Sequence, residues 1–325
     1  MGNWCSVGVR AMSDCRKELS KIRSVILHSQ GNTSVEQSHP QSQQVEAISQ
    51  ADNDEQVVGL WLHGRSPHTQ KAYASDIARF FRQVNKPLRR VTLGDLQGFA
   101  DGLMEEDLKP ASQHRILSAV KSLITFCHKI GYLRFDVSKP LRISKFKDEL
   151  AGRILTEAEV QRIIGMENNP RNKLLLRVLY AGGIRVSEVC RLTWKDLQER
   201  ESGGQMTIFG KGGKTHTILI PEPLWGDLLS SRKSSSQEAP LFRSRKGGHL
   251  HPSQVWRIVR TSARTAGLQK AISPHWFRHA HASHALDRGA KISLVQTTLA
   301  HSSIQTTGRY LHAKPGESSS MYLVV

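Results

Sequence analysis

Cysteine is scarce in this chain. Four residues (Cys5, Cys15, Cys127 and Cys190) are scattered over 325 positions with no metal-type spacing. That excludes a disulfide-stapled scaffold and a zinc module, and fits reduced thiols in a cytosol. No apolar run approaches the ~18 residues a membrane span needs, and no signal-peptide pattern opens the sequence, so a cytoplasmic protein is expected. Aromatic residues make up 6%. Core-forming residues are almost missing between Gln30 and Gln56, where Gln, Ser and Asn prevail. Acid is also in short supply, with 28 Asp and Glu against 46 Lys and Arg.

What is present is basic charge, unevenly placed. Residues 1–65 hold 6 Lys and Arg against 7 Asp and Glu, so the remainder carries a net +19, against +18 for the whole chain. A globular region this basic binds a polyanion. No amphipathic basic helix stands out that would direct the charge to a lipid surface.

Residues 1–55 read as a flexible polar tail with a short helix at Cys15–Leu27. Residues 56–140 read as a helical DNA-binding domain. Ser66-Pro67 is a helix start, and Tyr73, Ile77, Phe80, Phe81 and Val84 repeat on one face. Thr92 with Asp95 starts a second helix running to about Met104. A third follows Pro110, carries Ile116, Val120, Leu123, Cys127 and Ile130, and stops at Gly131. Basic residues left between the apolar stripes are candidate phosphate contacts: Lys71, Arg79, Arg82, Arg115 and Lys121, with Lys86, Arg89 and Arg90 beside them.

Residues 141–153 read as a basic linker, with Lys145 a further candidate DNA contact. A second domain, 154–325, opens on the capping box from Thr156 to Glu159. Helices are expected over about 156–165 and 170–181, then from Pro252, Pro274 and about Ile292. Gln205–Phe209 and Thr215–Ile220 alternate as strands joined by Gly210-Lys211-Gly212-Gly213-Lys214. The fold class is mainly α with a small antiparallel sheet.

Four motifs then fall in order. Ala181-Gly182-Gly183-Ile184-Arg185-Val186-Ser187-Glu188-Val189 resembles the first arginine box of the tyrosine recombinases, the phage-integrase family. Gly210 to Lys214 is similar to that family's hairpin lysine motif, and His275-Trp276-Phe277-Arg278-His279 resembles its H-x-x-R box. Leu299-Ala300-His301 with Tyr310 resembles its closing histidine and nucleophile. His301 follows Arg278 by 23 residues and Tyr310 follows His301 by 9. Four boxes in order are far more specific than one. The resemblance spans about residues 60–312, the first domain resembling the family's core-binding domain. Ala300 stands where the family usually has glycine, a departure expected to cost little.

The resemblance implies cleavage and rejoining of DNA through a 3′-phosphotyrosyl intermediate, with Arg185, Lys211, His275, Arg278, His301 and Tyr310 catalytic. The chemistry suits these residue types. Arg185 and Arg278 can fork two N–H donors onto the non-bridging oxygens of a phosphodiester, which gains about one unit of negative charge in the transition state. Tyr310 attacks phosphorus, and its phenoxide, with a pKa near about 10, can leave again, so no ATP is needed. Lys211 is placed as general acid to the leaving 5′-oxygen, with Lys214 as its rival and as a phosphate contact. His275 suits proton transfer with the tyrosine, and His301 a hydrogen bond to phosphate. Glu188 orients an arginine or histidine, or makes a plain helix salt bridge. His279, His281 and His284 read as packing or backbone-bonding residues. His275 and His279 have a zinc-like i,i+4 spacing, but no cysteine or acid completes a set, so neither metal nor other cofactor is expected.

The partners implied are double-stranded DNA on the nucleoid and three further copies of the chain, a tetramer on two DNA sites. The apolar end Met321-Tyr322-Leu323-Val324-Val325 is expected to dock on a neighbouring subunit, or on its own. Two other classes share parts of this pattern: a type IB topoisomerase and a DNA-binding relative without catalysis.

Overall fold

The computed structural model describes residues 51–143, 150–210, 213, 215–301 and 303–313, with residues 312 and 313 described by backbone alone. Residues 1–50 with the expected helix Cys15–Leu27, the three lysines Lys145, Lys211 and Lys214, and Met321 to Val325 lie outside the described residues. The chain divides between Lys147 and Asp148 into two compact units.

The described part of the first unit is all helical: α1 (Asp54–Leu62), α2 (Pro67–Val84), α3 (Leu93–Glu105) and α4 (Pro110–Lys129). The Ser66 hydroxyl accepts the amide of Thr69 at the start of α2, and Thr92 and Asp95 close a capping box on α3. The expected apolar face of α2 is the packed one, with Ile77 and Phe80 fully buried and Phe80 set edge-on to Phe99. Helix α1 overlaps residues that the sequence reading assigned to the tail. Its Asp54 is buried because one carboxylate oxygen accepts the Leu88 amide at 2.9 Å and the other the Tyr132 hydroxyl at 2.6 Å. A carboxylate that joins three segments of the core gives no hydrophobic signal.

The second unit runs α5 (Glu157–Gly165), α6 (Pro170–Gly182), α7 (Val186–Val189), β1 (Leu197–Glu199), β2 (Gly204–Phe209), β3 (Thr215–Ile220), α8 (Glu222–Ser230), α9 (Pro252–Thr265), α10 (Pro274–Asp287), α11 (Ile292–Thr298) and α12 (Ile304–Ala313). The sheet is antiparallel in the order β1-β2-β3, with Ile208 opposite His216 and Met206 opposite Ile218. One large core packs α5, α6, the sheet, α8, α9 and α10 together. A second, smaller cluster of Leu150, Ile154, Ala282, Val295, Leu299 and Tyr310 holds the end of the described chain. Among the described residues no helix is long and apolar enough to cross a membrane.

Candidate active site

Helix α6 ends at Gly183, whose φ of +56° places it in the left-handed region. Glycine is required twice over there. An added Cβ would lie 2.6 Å from the Leu299 side chain and 2.8 Å from the His281 ring. Gly183 thus lets the fold close on itself. Two residues on, Arg185 is the N-cap of α7. Glu188, only 4% exposed, accepts the Arg185 amide at 2.8 Å with one oxygen and its guanidinium at 2.9 Å with the other. Of the two roles open to Glu188, the pairing is with Arg185, and it holds both backbone and side chain of that residue.

Arg278 comes from the middle of α10 and is 5% exposed. Its two terminal nitrogens donate to the carbonyl of Gly183 at 2.7 Å and to that of Leu299 at 2.5 Å. One buried cation therefore fastens the Arg185 loop to the turn that carries His301. The fork is shared with the fold, since these bonds use two of its five N–H groups.

In that turn Ala300 takes φ +47°. Its carbonyl is 3.5 Å from a guanidinium nitrogen of Arg185. The left-handed conformation costs a side chain with a Cβ about 1–2 kcal/mol, so the alanine is less innocuous than its small size suggests. His301 is fixed through Nδ1, which lies 2.9 Å from the hydroxyl of the fully buried Thr307. When that hydroxyl donates, the imidazole carries its proton on Nε2 and can give it to an acceptor.

Tyr310 is 5% exposed and its ring belongs to the smaller apolar cluster. The ring stacks on that of His301 with centroids 6.4 Å apart and planes 8° from parallel. Its hydroxyl lies 2.8 Å from Nδ1 of His279.

The electrostatics follow from burial beside two guanidinium groups. Desolvation, then Arg185, brings Arg278 down to about 10, so it remains a cation at neutral pH. Desolvation, then Arg278 and Arg185, lowers His301 to about 4. Desolvation and neighbouring cationic groups lower His279 to about 4 as well. His275 reaches solvent at the start of α10, yet partial desolvation, Arg278 and Arg185 also hold it low. The result is a fixed positive pocket lined with neutral imidazoles, suited to an anion with acceptor oxygens.

Residues 153–317 match the phage integrase family, and residues 59–129 match the family's N-terminal SAM-like domain. The chain belongs to the phage integrase family. It is a tyrosine-type site-specific recombinase, an enzyme that cuts and rejoins DNA. The tyrosine recombinase XerA of Pyrococcus furiosus is 31% identical over 261 residues, 77% of this chain and 85% of that one. The tyrosine recombinase XerD of Pseudomonas aeruginosa is 31% identical over 274 residues, 78% and 89% of the two chains. Among solved structures, the XerH recombinase in a post-cleavage complex on palindromic difH superposes with a TM-score of 0.67 at 18% identity, over 94% of each chain. A lambda integrase dimer bound to a core site gives 0.67 at 19% identity, over 82% of this chain and 95% of that chain. These two likenesses concern the fold.

Within the recombinase, Arg185 bonds Glu188 and meets the Ala300 carbonyl, Arg278 bonds the neighbouring Gly183 and Leu299 carbonyls, and His301 stacks on Tyr310, with His275 in the field of both arginines. Two histidines were missed from the sequence. His279 touches the tyrosine hydroxyl instead of packing; a neighbour one residue past the H-x-x-R box has no pattern of its own. His216 on β3 is near Glu188, Arg185 and Arg278 in space but about thirty residues from the nearest of them in the chain. His281 bonds the Tyr180 carbonyl at 2.9 Å, as a backbone-bonding residue does, and His284 the Tyr180 hydroxyl at 2.9 Å. Among the described residues no group of three His, Cys, Asp or Glu gathers as metal ligands.

The basic residues of the recombinase's first unit are partly engaged within the fold. Arg79 pairs with Glu106 at 2.6 Å and Arg115 with the buried Asp76. Lys121 donates to the carbonyl of Leu141 at 2.6 Å. Arg82 is exposed in the last turn of α2, and Lys71 is exposed in its first half. For Arg115 and Lys121 a structural duty therefore precedes any contact with phosphate.

Proposed function

We propose that the recombinase holds the scissile phosphate with Arg185, Arg278, His275 and His301 and attacks it with Tyr310. The observation that carries this reading is the fastening of the Arg185 loop and the His301 turn by one buried arginine, with the tyrosine ring stacked on His301. The two guanidinium groups and the Nε2 proton of His301 supply donors where the phosphorane gains charge. The Tyr310 oxygen forms the new bond to phosphorus and the bond to the 5′-oxygen breaks. The phenol proton passes to His279, 2.8 Å away, in place of His275, and the 5′-oxygen takes a proton from Lys211. Rejoining reverses each step, and the phosphotyrosyl bond conserves the energy in between. In the DNA-free enzyme Tyr310 is nearly buried.

The substrate is double-stranded DNA on the nucleoid, in the cytoplasm. Its polyanionic backbone is met by the chain's net charge of +18, with Lys71, Arg79, Arg82, Arg115, Lys121, Lys145 and Lys214 as backbone contacts. The assembly is a tetramer on two sites, and Met321 to Val325 dock on a neighbour; the run of Met, Tyr, Leu and two Val is too apolar to leave in water. Residues 56–140 are the DNA-binding region and 154–325 the catalytic region, a reading supported by the family matches over residues 59–129 and 153–317.

Incubation with source-genome DNA, denaturation and sequencing of covalently attached fragments tests the function. Adducts at one or a few sequences are expected. Adducts at any sequence, with relaxation of supercoiled DNA, would instead mark a type IB topoisomerase.

A further inference from the structure

His216 sits on β3 directly beyond the hairpin, opposite Ile208. Burial alternates along this strand, so His216 shares the inward face with Ile218 and Ile220. That face runs along the arginine loop: Ile218 comes within 3.7 Å of the Cβ position of Gly182. One step along the same face, the charged groups acting on His216 are Glu188, Arg185 and Arg278. Strand β3 also packs against α6 and α11, the two elements that flank the site. Both ring nitrogens of His216 are enclosed, and neither has a hydrogen-bond partner among the described residues.

An imidazole always presents at least one donor. Enclosing it without partners costs about 1–3 kcal/mol per group, and native proteins rarely tolerate this without a use. The missing partner can be specified by charge. Glu188 already accepts both the amide and the guanidinium of Arg185, and two cations lie alongside, so an incoming group must be an anion rich in acceptor oxygens. On the reading above, that anion is the scissile phosphodiester.

We propose that His216 is a substrate-contacting residue of the recombinase, donating a ring N–H to an oxygen of the scissile phosphate and so completing its own hydrogen bonding only when DNA is bound. The group is not a spare proton carrier. Desolvation holds its pKa low, opposed by Glu188 and reinforced by Arg185 and Arg278, so it meets DNA as a neutral donor.

The test separates substrate contact from packing. His216→Leu removes two unpaired nitrogens and keeps an apolar body, so its Tm should equal or exceed that of the wild type. The rate of covalent adduct formation on the trapped DNA site should fall about 10- to 100-fold, and His216→Asn, which keeps a donor, should recover part of it. Adduct formation within threefold of wild type in His216→Leu overturns the proposal, as does a rate loss matched by a fall in Tm in both variants. If the wild type forms no adduct, the recombination chemistry assigned above fails on its own account. His216 is then decided by titrating ¹⁵N-histidine-labelled enzyme with inorganic phosphate: a shift of its ring resonances supports phosphate contact, and no shift overturns it.

Discussion

In the catalytic unit the imidazoles of His216, His275, His279, His281 and His301 are all held below the ordinary histidine pKa, desolvation coming first in each case. The unfolded chain takes up these protons near about 6.5, whereas His279 and His301 in the folded unit wait until about 4. Between those values the unfolded state binds more protons, so stability is full above about pH 6.5 and is lost as pH falls toward 4. Thermal unfolding followed at pH 7.5 and 5 should show a lower Tm at pH 5; an equal or higher value would contradict the burial of neutral histidines. At this scale the motifs pointed to candidate residues but not to which atoms meet. The motif spacing led to Arg185, Arg278, His301 and Tyr310. It could not tell that the Tyr310 hydroxyl would face His279, because which imidazole a tyrosine on another helix reaches depends on how those helices pack.

The elements that position the site are joined by two left-handed residues, Gly183 at the end of α6 and Ala300 after α11. Arg278 holds both joints from α10 through the carbonyls of Gly183 and Leu299. Only at Gly183 does the residue suit its conformation. Ala300→Gly should relieve about 1–2 kcal/mol of strain against about 0.5–1 kcal/mol of added chain entropy. The expected net gain of about 0.5–1 kcal/mol is a rise of roughly 1–4 °C in Tm, and a lower Tm would contradict the strained turn. Helices α2, α3 and α5 were legible in the sequence because capping groups and apolar periodicity agree there. Helix α1 was not, since its anchor is the buried carboxylate of Asp54, and β1 has only three residues, too few for alternation to register.

For the whole molecule the basic excess pointed to a polyanion, yet it could not separate arginines facing DNA from those serving the fold. Arg115 is tied to Asp76 and Arg79 to Glu106, and charge counts treat them like any other cation. Assembly belongs to this scale too. Deleting residues 316–325 should shift the recombinase–DNA complex from tetramer to smaller species in sizing experiments, and unchanged assembly would contradict docking of the tail on a neighbour. The most direct measurement concerns the bond to DNA itself. The trapped adduct should be digested and its peptide mapped, with Tyr310→Phe run in parallel under the same conditions. The account predicts phosphate on Tyr310, joined to a DNA 3′ end, and no adduct from the phenylalanine variant. Adduct on any other residue, or undiminished adduct from Tyr310→Phe, would contradict it.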